Sequence, residues 1–348
     1  MSRRFLFFVY FCVIYADVNG PLTDDFTNWL NSNNYISDNF TRTDYKTKGS
    51  YGGKSKANPV TTKTPVIFIH GNSDSALHSS ATATGWDNTI AYFLARNYTT
   101  ADLYATSWGD SNALNADTRT HNCKEVLRLR RFMEAVLKYT GAPKVSFITH
   151  SMGVTLGRKI IKGGKISASD GNCDVGAPLT KNVDVFVGLS GANYGLCTCE
   201  ASGVSIATCN KDDGLWPGDT CGFNMYVCAE NPLMFPCSGP TYSKFLTTLN
   251  TDTTREGSYV FSAWSVADDV ILGGDMVWGR PTSLIPTSND HKTYLSYGHM
   301  ATKELTADDQ YGMVVNKKIP QSTGHTLLQD GKKQIERSPR FVRSSFLT

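Results

Sequence analysis

Short apolar runs punctuate this chain, helical patterns fill several of the gaps between them, and that alternation limits the fold more than any other feature. The first run is Pro65-Val66-Ile67-Phe68-Ile69, which ends at His70-Gly71-Asn72. Asp102-Leu103-Tyr104-Ala105-Thr106, Lys144-Val145-Ser146-Phe147-Ile148-Thr149 and Val183-Asp184-Val185-Phe186-Val187-Gly188-Leu189 follow. The pattern resumes at Ser258-Tyr259-Val260-Phe261-Ser262-Ala263-Trp264 and at Thr293-Tyr294-Leu295-Ser296-Tyr297. A short continuous apolar run suits a strand buried on both faces. Residues 86–97 place Ile90, Phe93 and Leu94 on one helical face. Residues 122–139 repeat Val126, Leu129, Phe132, Met133, Val136 and Leu137 at helical spacing before a stop at Gly141-Ala142-Pro143. A third helix is expected over 154–161, closed by Gly163-Gly164. Strands separated by helices imply an α/β fold: a mostly parallel sheet with helices on both faces.

The 348 residues fit one large α/β domain, expected over 64–316, with additions at both ends. At 40% hydrophobic and 19% charged, with a formal charge of +3, the chain has an ordinary globular composition that does not suggest a nucleic-acid partner. Its oligomeric state is not legible. Met1-Ser2-Arg3-Arg4 and the apolar run from Phe5 to Tyr15 read as a secretory signal over 1–16, with cleavage as late as Gly20. The run is too short to span a bilayer. Residues 21–63 read as a polar surface lead-in with a short helix from Asp24 and a loop at Tyr51-Gly52-Gly53. Residues 317–348 are basic and read as a poorly ordered tail. Arg128, Arg130 and Arg131 are expected on a solvated helix face.

Once the signal with Cys12 is gone, eight cysteines remain: Cys123, Cys173, Cys197, Cys199, Cys209, Cys221, Cys228 and Cys237. An even number in an oxidising compartment implies disulfides, whose connectivity the sequence cannot rank. Six of them crowd residues 195–240, a stretch without periodicity that reads as a disulfide-stapled insertion. A zinc site at Cys197-x-Cys199 is the weaker reading, because no paired Cys-x-x-Cys accompanies it. The insertion follows a core strand at its carboxyl end, so either a lid or a surface knob is expected there. Two sequons make Asn39 and Asn97 candidates for N-glycosylation.

The chemistry centres on Thr149-His150-Ser151-Met152-Gly153, which joins an apolar strand to a helix. A serine hydroxyl is a weak nucleophile at neutral pH, so serine esterases raise it on a sharp strand-to-helix turn within reach of a histidine. Gly153 suits that turn, while Thr149 occupies a place usually held by glycine. The oxyanion hole of such a fold takes one N–H from the residue after the nucleophile and one from the loop after an earlier strand, which points to Met152 and Asn72. His70 is expected to position that loop, and His150 to pack. In α/β-hydrolases the acid and the base follow the serine in that order. Asp268 and Asp269 follow one strand and His299 follows another. His291 precedes a strand and His325 lies in the tail, leaving His299 as the base. Either aspartate could hold the imidazole while the other caps the next turn.

At these residues the chain resembles the class 2 lipase family, secreted α/β-hydrolases with a minimal core. The resemblance rests on Val66-Ile67-Phe68-Ile69-His70-Gly71-Asn72, Tyr104-Ala105-Thr106-Ser107-Trp108-Gly109, His150-Ser151-Met152-Gly153 and Leu189-Ser190-Gly191-Ala192-Asn193, and covers about residues 64–313. In that family a non-glycine residue before the elbow is tolerated. A Ser-x-Ala-Asp segment, here Ser265-Val266-Ala267-Asp268, carries the acid, and a Gly-His pair, here Gly298-His299, carries the base. The resemblance implies a triad of Ser151, Asp268 and His299, lipid or small ester substrates such as triacylglycerols, transient contact with a lipid–water interface, and neither metal nor organic cofactor. The insertion at 195–240 departs from the minimal members. Rival readings are a thioesterase or another serine hydrolase of this fold, and a catalytically silent lipid carrier.

Overall fold

The computed structural model describes residues 18–218, 228 and 240–320. Its strands, in chain order, are β1 (Ser50–Tyr51), β2 (Val66–Ile69), β3 (Leu103–Thr106), β4 (Val145–His150), β5 (Lys165–Ala168), β6 (Gly171–Asp174), β7 (Val183–Leu189), β8 (Tyr259–Ser265), β9 (Met276–Val277), β10 (Arg280–Pro281) and β11 (Asp290–Tyr294). The helices are α1 (Asp24–Ser32), α2 (Asp87–Leu94), α3 (Cys123–Thr140), α4 (Met152–Lys162), α5 (Thr198–Ser202), α6 (Lys244–Thr251), α7 (His299–Glu304) and α8 (Ala307–Tyr311). Seven strands form the main sheet in the order β1-β3-β2-β4-β7-β8-β11, parallel throughout except for the edge strand β1. The hairpin β5-β6 and the pair β9-β10 stand outside it.

Successive strand residues point to opposite faces, so each apolar run supplies both sides of the sheet. Ile67, Ile69, Tyr104 and Phe147 pack with residues of α1, α3, α4 and α6 in one core cluster. Val66, Phe68, Leu103 and Ile148 pack with Ile90 and Phe93 of α2 and with Met313 in the other. Burial on both faces is why these strands are continuous rather than alternating in hydrophobicity. The long helix α3 is bounded as its sequence requires. Asn122 caps it by accepting from the Glu125 N–H at 2.9 Å, and Gly141 ends it with φ 69°.

Residues 21–63 are not a surface lead-in. Leu22, Phe26, Leu30, Tyr35 and Phe40 are buried in the same cluster as α3, and Ser50–Tyr51 forms an antiparallel edge strand on β3. Few apolar residues suffice here because α1 buries only one face, where Phe26 stacks on Tyr139 at 4.3 Å. The α3 arginines do not form a solvated face: Arg128 and Arg131 hold this segment in place, and Arg130 turns to the other side of the helix. Arg128 donates to the carbonyls of Asp38, Asn39 and Ser107, Arg131 pairs with Asp38 at 2.9 Å, and Arg130 donates to the carbonyls of Ile160 and Ala177. The last strand is also displaced from its expected place, running over Asp290–Tyr294 and so containing His291, which stacks on Trp264. Residues 295–297 belong to the following loop.

Among the described residues three disulfides join Cys123 to Cys173, Cys197 to Cys228 and Cys199 to Cys209. Cys197 and Cys199 are thus both sulfur-paired. The first bridge fastens the start of α3 to the β5-β6 hairpin, outside the insertion. The described part of the insertion packs inward through Leu215 and Trp216, and the Asp213 carbonyl accepts from the His121 N–H. Cys221, Cys237, residues 219–227 and 229–239 of the insertion expected as a lid or a surface knob, the signal over 1–16 and the tail beyond 320 lie outside the described residues. Asn39 and Asn97 are exposed, each on a turn with positive φ.

Candidate active site

Ser151 lies between the last residue of β4 and the first of α4, with φ 55° and ψ −131°. An L-residue there is strained, and such strain is retained where the surroundings force it. The turn is tight enough to leave no room for two side chains. A Cβ on Gly153 would stand 2.3 Å from the His70 carbonyl oxygen, and one on Gly71 would stand 2.7 Å from Ser151 Cβ. Thr149 fits because its hydroxyl donates to the Val187 carbonyl at 2.8 Å, while its methyl group faces Gly157, where a Cβ would come within 3.0 Å of it. Room that glycine usually provides on the strand is provided on the helix.

Asp268 and His299 meet at the carboxyl ends of β8 and β11, where His299 Nδ1 and Asp268 Oδ2 are 2.8 Å apart. Because the carboxylate only accepts, the proton lies on Nδ1 and Nε2 is left as the basic nitrogen. The other Asp268 oxygen accepts from the N–H groups of Val270 and Ile271 at 2.9 and 2.8 Å. Burial pushes the Asp268 carboxyl up, but the His299 hydrogen bond and charge and those two N–H groups outweigh it and hold the pKa below its ordinary value. Asp269 acts on the backbone of the same residue, accepting from the His299 N–H at 2.7 Å at the start of α7.

Asn72 sits in a turn closed by the Asp74 N–H donating to the Gly71 carbonyl at 3.3 Å. Its side-chain amide donates to the Ala116 carbonyl at 3.0 Å, which fixes the residue and leaves its backbone N–H to be aimed by the turn. Met152 opens α4, where the first N–H groups have no partner within the helix and the dipole is positive. His70 is a strut: its Nε2 accepts from the Trp108 N–H at 3.0 Å, its Nδ1–H donates to the Gly71 carbonyl at 2.8 Å, and the two rings stack. Burial lowers its pKa to about 4, with the Asp74 charge a smaller opposing effect, so the ring is neutral.

Sequence reasoning missed three contributors. His150, expected only to pack, brings Nε2 within 3.2 Å of the His299 carbonyl and so ties the elbow to the segment that carries His299. Burial, then the neighbouring His299 and Lys303, keep its pKa well below the ordinary value. Arg158 is fully buried two turns into α4, with Glu256 at 2.8 Å and the amide oxygens of Asn193 and Asn250 at 2.9 and 2.8 Å. Lys303 is buried on α7 against Asp74 at 2.7 Å. The available signal was a cation at a helical position that should face the core.

The profile of the lipase (class 2) family matches residues 63–312. No curated protein matches the chain. Among solved structures, it is similar to the mature form of Bacillus licheniformis lipase BlEst2 (11% identity, TM-score 0.45, 76% of this chain and 96% of that one). It is also similar to Paleococcus ferrophilus monoacylglycerol lipase (12% identity, TM-score 0.44, 78% and 98%). A third similarity is to Aspergillus fumigatus lipase B (13% identity, TM-score 0.40), where 70% of this chain spans only 48% of the other, about half its length. Matched over most of its length by one family profile and built on the sheet described above, the chain belongs to the class 2 lipase family of α/β-hydrolases, enzymes that hydrolyse carboxylic esters.

Proposed function

We propose that this protein is a secreted lipase or carboxylesterase that cleaves lipid esters of the triacylglycerol type through Ser151, His299 and Asp268. The observation that carries the reading is the 2.8 Å pair of Asp268 and His299 on the loops that flank the strained elbow serine. Ser151 attacks the ester carbonyl carbon as His299 Nε2 takes its proton, and Asp268 steadies the imidazolium that forms. The N–H groups of Asn72 and Met152 stabilise the tetrahedral oxyanion. The alcohol leaves with the proton from His299. Water, activated by the same imidazole, then releases the acid from Ser151.

Export is supported by the basic and apolar start of the chain and by the three disulfides. No helix among the described residues is long and apolar enough to cross a membrane. Cleavage near Ala16 would retain Val18, which is buried in the core, whereas cleavage after Gly20 would remove it. N-glycosylation at Asn39 and Asn97 is consistent with their exposure. The test is Ser151→Ala in the full chain, which abolishes turnover of p-nitrophenyl butyrate and emulsified tributyrin while secretion and melting temperature are retained. Full residual turnover would refute the assignment.

A further inference from the structure

His299 and Lys303 are four residues apart on α7, so they share one helix face. Lys303 reaches from that face to the oxyanion loop. Its ammonium is 2.7 Å from Asp74 Oδ2 and 3.0 Å from Thr84 Oγ1, contacts the Gly85 carbonyl, and is 3.1 Å from Glu304 Oε1. Asp74 is the closing residue of the turn that contains Asn72, and its second oxygen accepts from the N–H groups of Ser75 and Gly85 at 2.8 and 2.9 Å. Both partners are almost wholly buried, at 1% and 2% side-chain exposure. Burial pulls the Lys303 pKa down, but Asp74 and Glu304 outweigh it and keep the amine charged. A buried ion pair is a poor source of net stability, since apolar side chains of the same volume often do as well. What this one does contribute is a fixed relation between two segments more than two hundred residues apart in the chain.

We infer that Lys303 and Asp74 are positioning residues, a strut that sets the distance between the base His299 and the oxyanion donor at Asn72. The inference rests on the triad reading above. α7 has only six residues and is too short to be stable alone, so its placement depends on such anchors. Loss of the strut lets the base and the oxyanion donor drift relative to one another. Substrate binding depends less on that distance than the transition state does.

The test is turnover of a soluble ester, p-nitrophenyl butyrate, by the full chain carrying Asp74→Asn, Lys303→Met or both. Rates are expressed per active site titrated with a p-nitrophenyl phosphonate, well below each variant's melting temperature. Asparagine keeps the acceptor for Ser75 and Gly85 and leaves Lys303 paired with Glu304, so Asp74→Asn is the variant most able to fold. Each single variant should lower kcat about tenfold or more with little change in KM, since a misplacement near 1 Å can cost about 10²-fold. The double variant should be no worse than the more damaged single one. A reduced melting temperature with unchanged kcat per titrated site would overturn the proposal. So would a loss confined to KM, or single losses that multiply in the double variant. If Lys303→Met does not fold, Thr84→Val removes one hydroxyl from the same cluster without stranding a charge and should lower kcat less but in the same direction; an unchanged kcat there counts against the strut. Retained turnover in Ser151→Ala would remove the triad reading and this proposal with it, whereas failure in the Asp74 variant alone leaves the triad intact.

Discussion

Asp268 and Asp269, neighbours in the chain, divide His299 between them: one holds the ring nitrogen and the other the backbone N–H. Their substitution by asparagine should therefore separate sharply. Asp268→Asn disturbs the tautomer and should lower kcat by about 10⁴-fold, the loss measured for the matching change in a serine protease. Asp269→Asn keeps an acceptor at the helix start, where asparagine caps about as well as aspartate, and should leave kcat nearly unchanged. Steady-state kinetics of the two purified variants check this, and equal losses would contradict it. The choice was not legible from the residues alone because two adjacent carboxyls leave the same strand end. Only the return of the loop at 298–299 distinguishes them. Thr149 was a similar case, since the glycine it needs is Gly157, eight positions along on another element.

At the scale of elements, β2, β3, β4, β7 and β8 were legible because burial on both faces writes them as short apolar runs, whereas β11, exposed or half-buried at four of its five positions, was displaced. The apolar run Val183–Leu189 coincides with β7 from end to end. What escaped was anything held by polar contacts between segments distant in sequence. The segment over 21–63 looked like surface because its six or so core side chains are spaced among polar residues, and the arginines that grip it looked solvated for the same reason. Phe26, fully buried between Tyr104 and Tyr139, tests its integration. Phe26→Ala should destabilise the fold by about 3–5 kcal/mol in urea denaturation while sparing kcat in the folded fraction. A loss below about 1 kcal/mol would make the segment peripheral after all. Arg158 links α4 to Glu256 and α6 on the other side of the elbow. Arg158→Met, which leaves Glu256 with only the Thr287 hydroxyl and Lys162 at 3.4 Å as partners, should cost about 3–5 kcal/mol on the same measure.

At the scale of the whole molecule, the buried histidines make stability depend on pH. Burial lowers His70 and His121 to about 4 and His150 well below its ordinary value, so each is neutral when folded but binds a proton when unfolded below about pH 6.5. The unfolded state thus gains protons as pH falls from 6.5 toward 4, and each histidine removes about 1.4 kcal/mol of stability per pH unit over that window. Asp275 and Asp87, whose carboxyls burial pushes up, act with the opposite sign. The three histidines therefore set the sign, a loss of stability on acidification that the two carboxyls partly offset. Urea midpoints at pH 6.5 and 5 check the sign, and equal or greater stability at pH 5 would contradict it.

The proposed hydrolysis turns on one side chain, Ser151. Incubating the purified enzyme with a p-nitrophenyl alkylphosphonate, then mapping the adduct by peptide mass spectrometry, tests it most directly. The prediction is one equivalent bound at Ser151, with activity falling in proportion and with slower labelling in Asp268→Asn and His299→Gln. Labelling at another residue, or full activity after Ser151 is blocked, would contradict it.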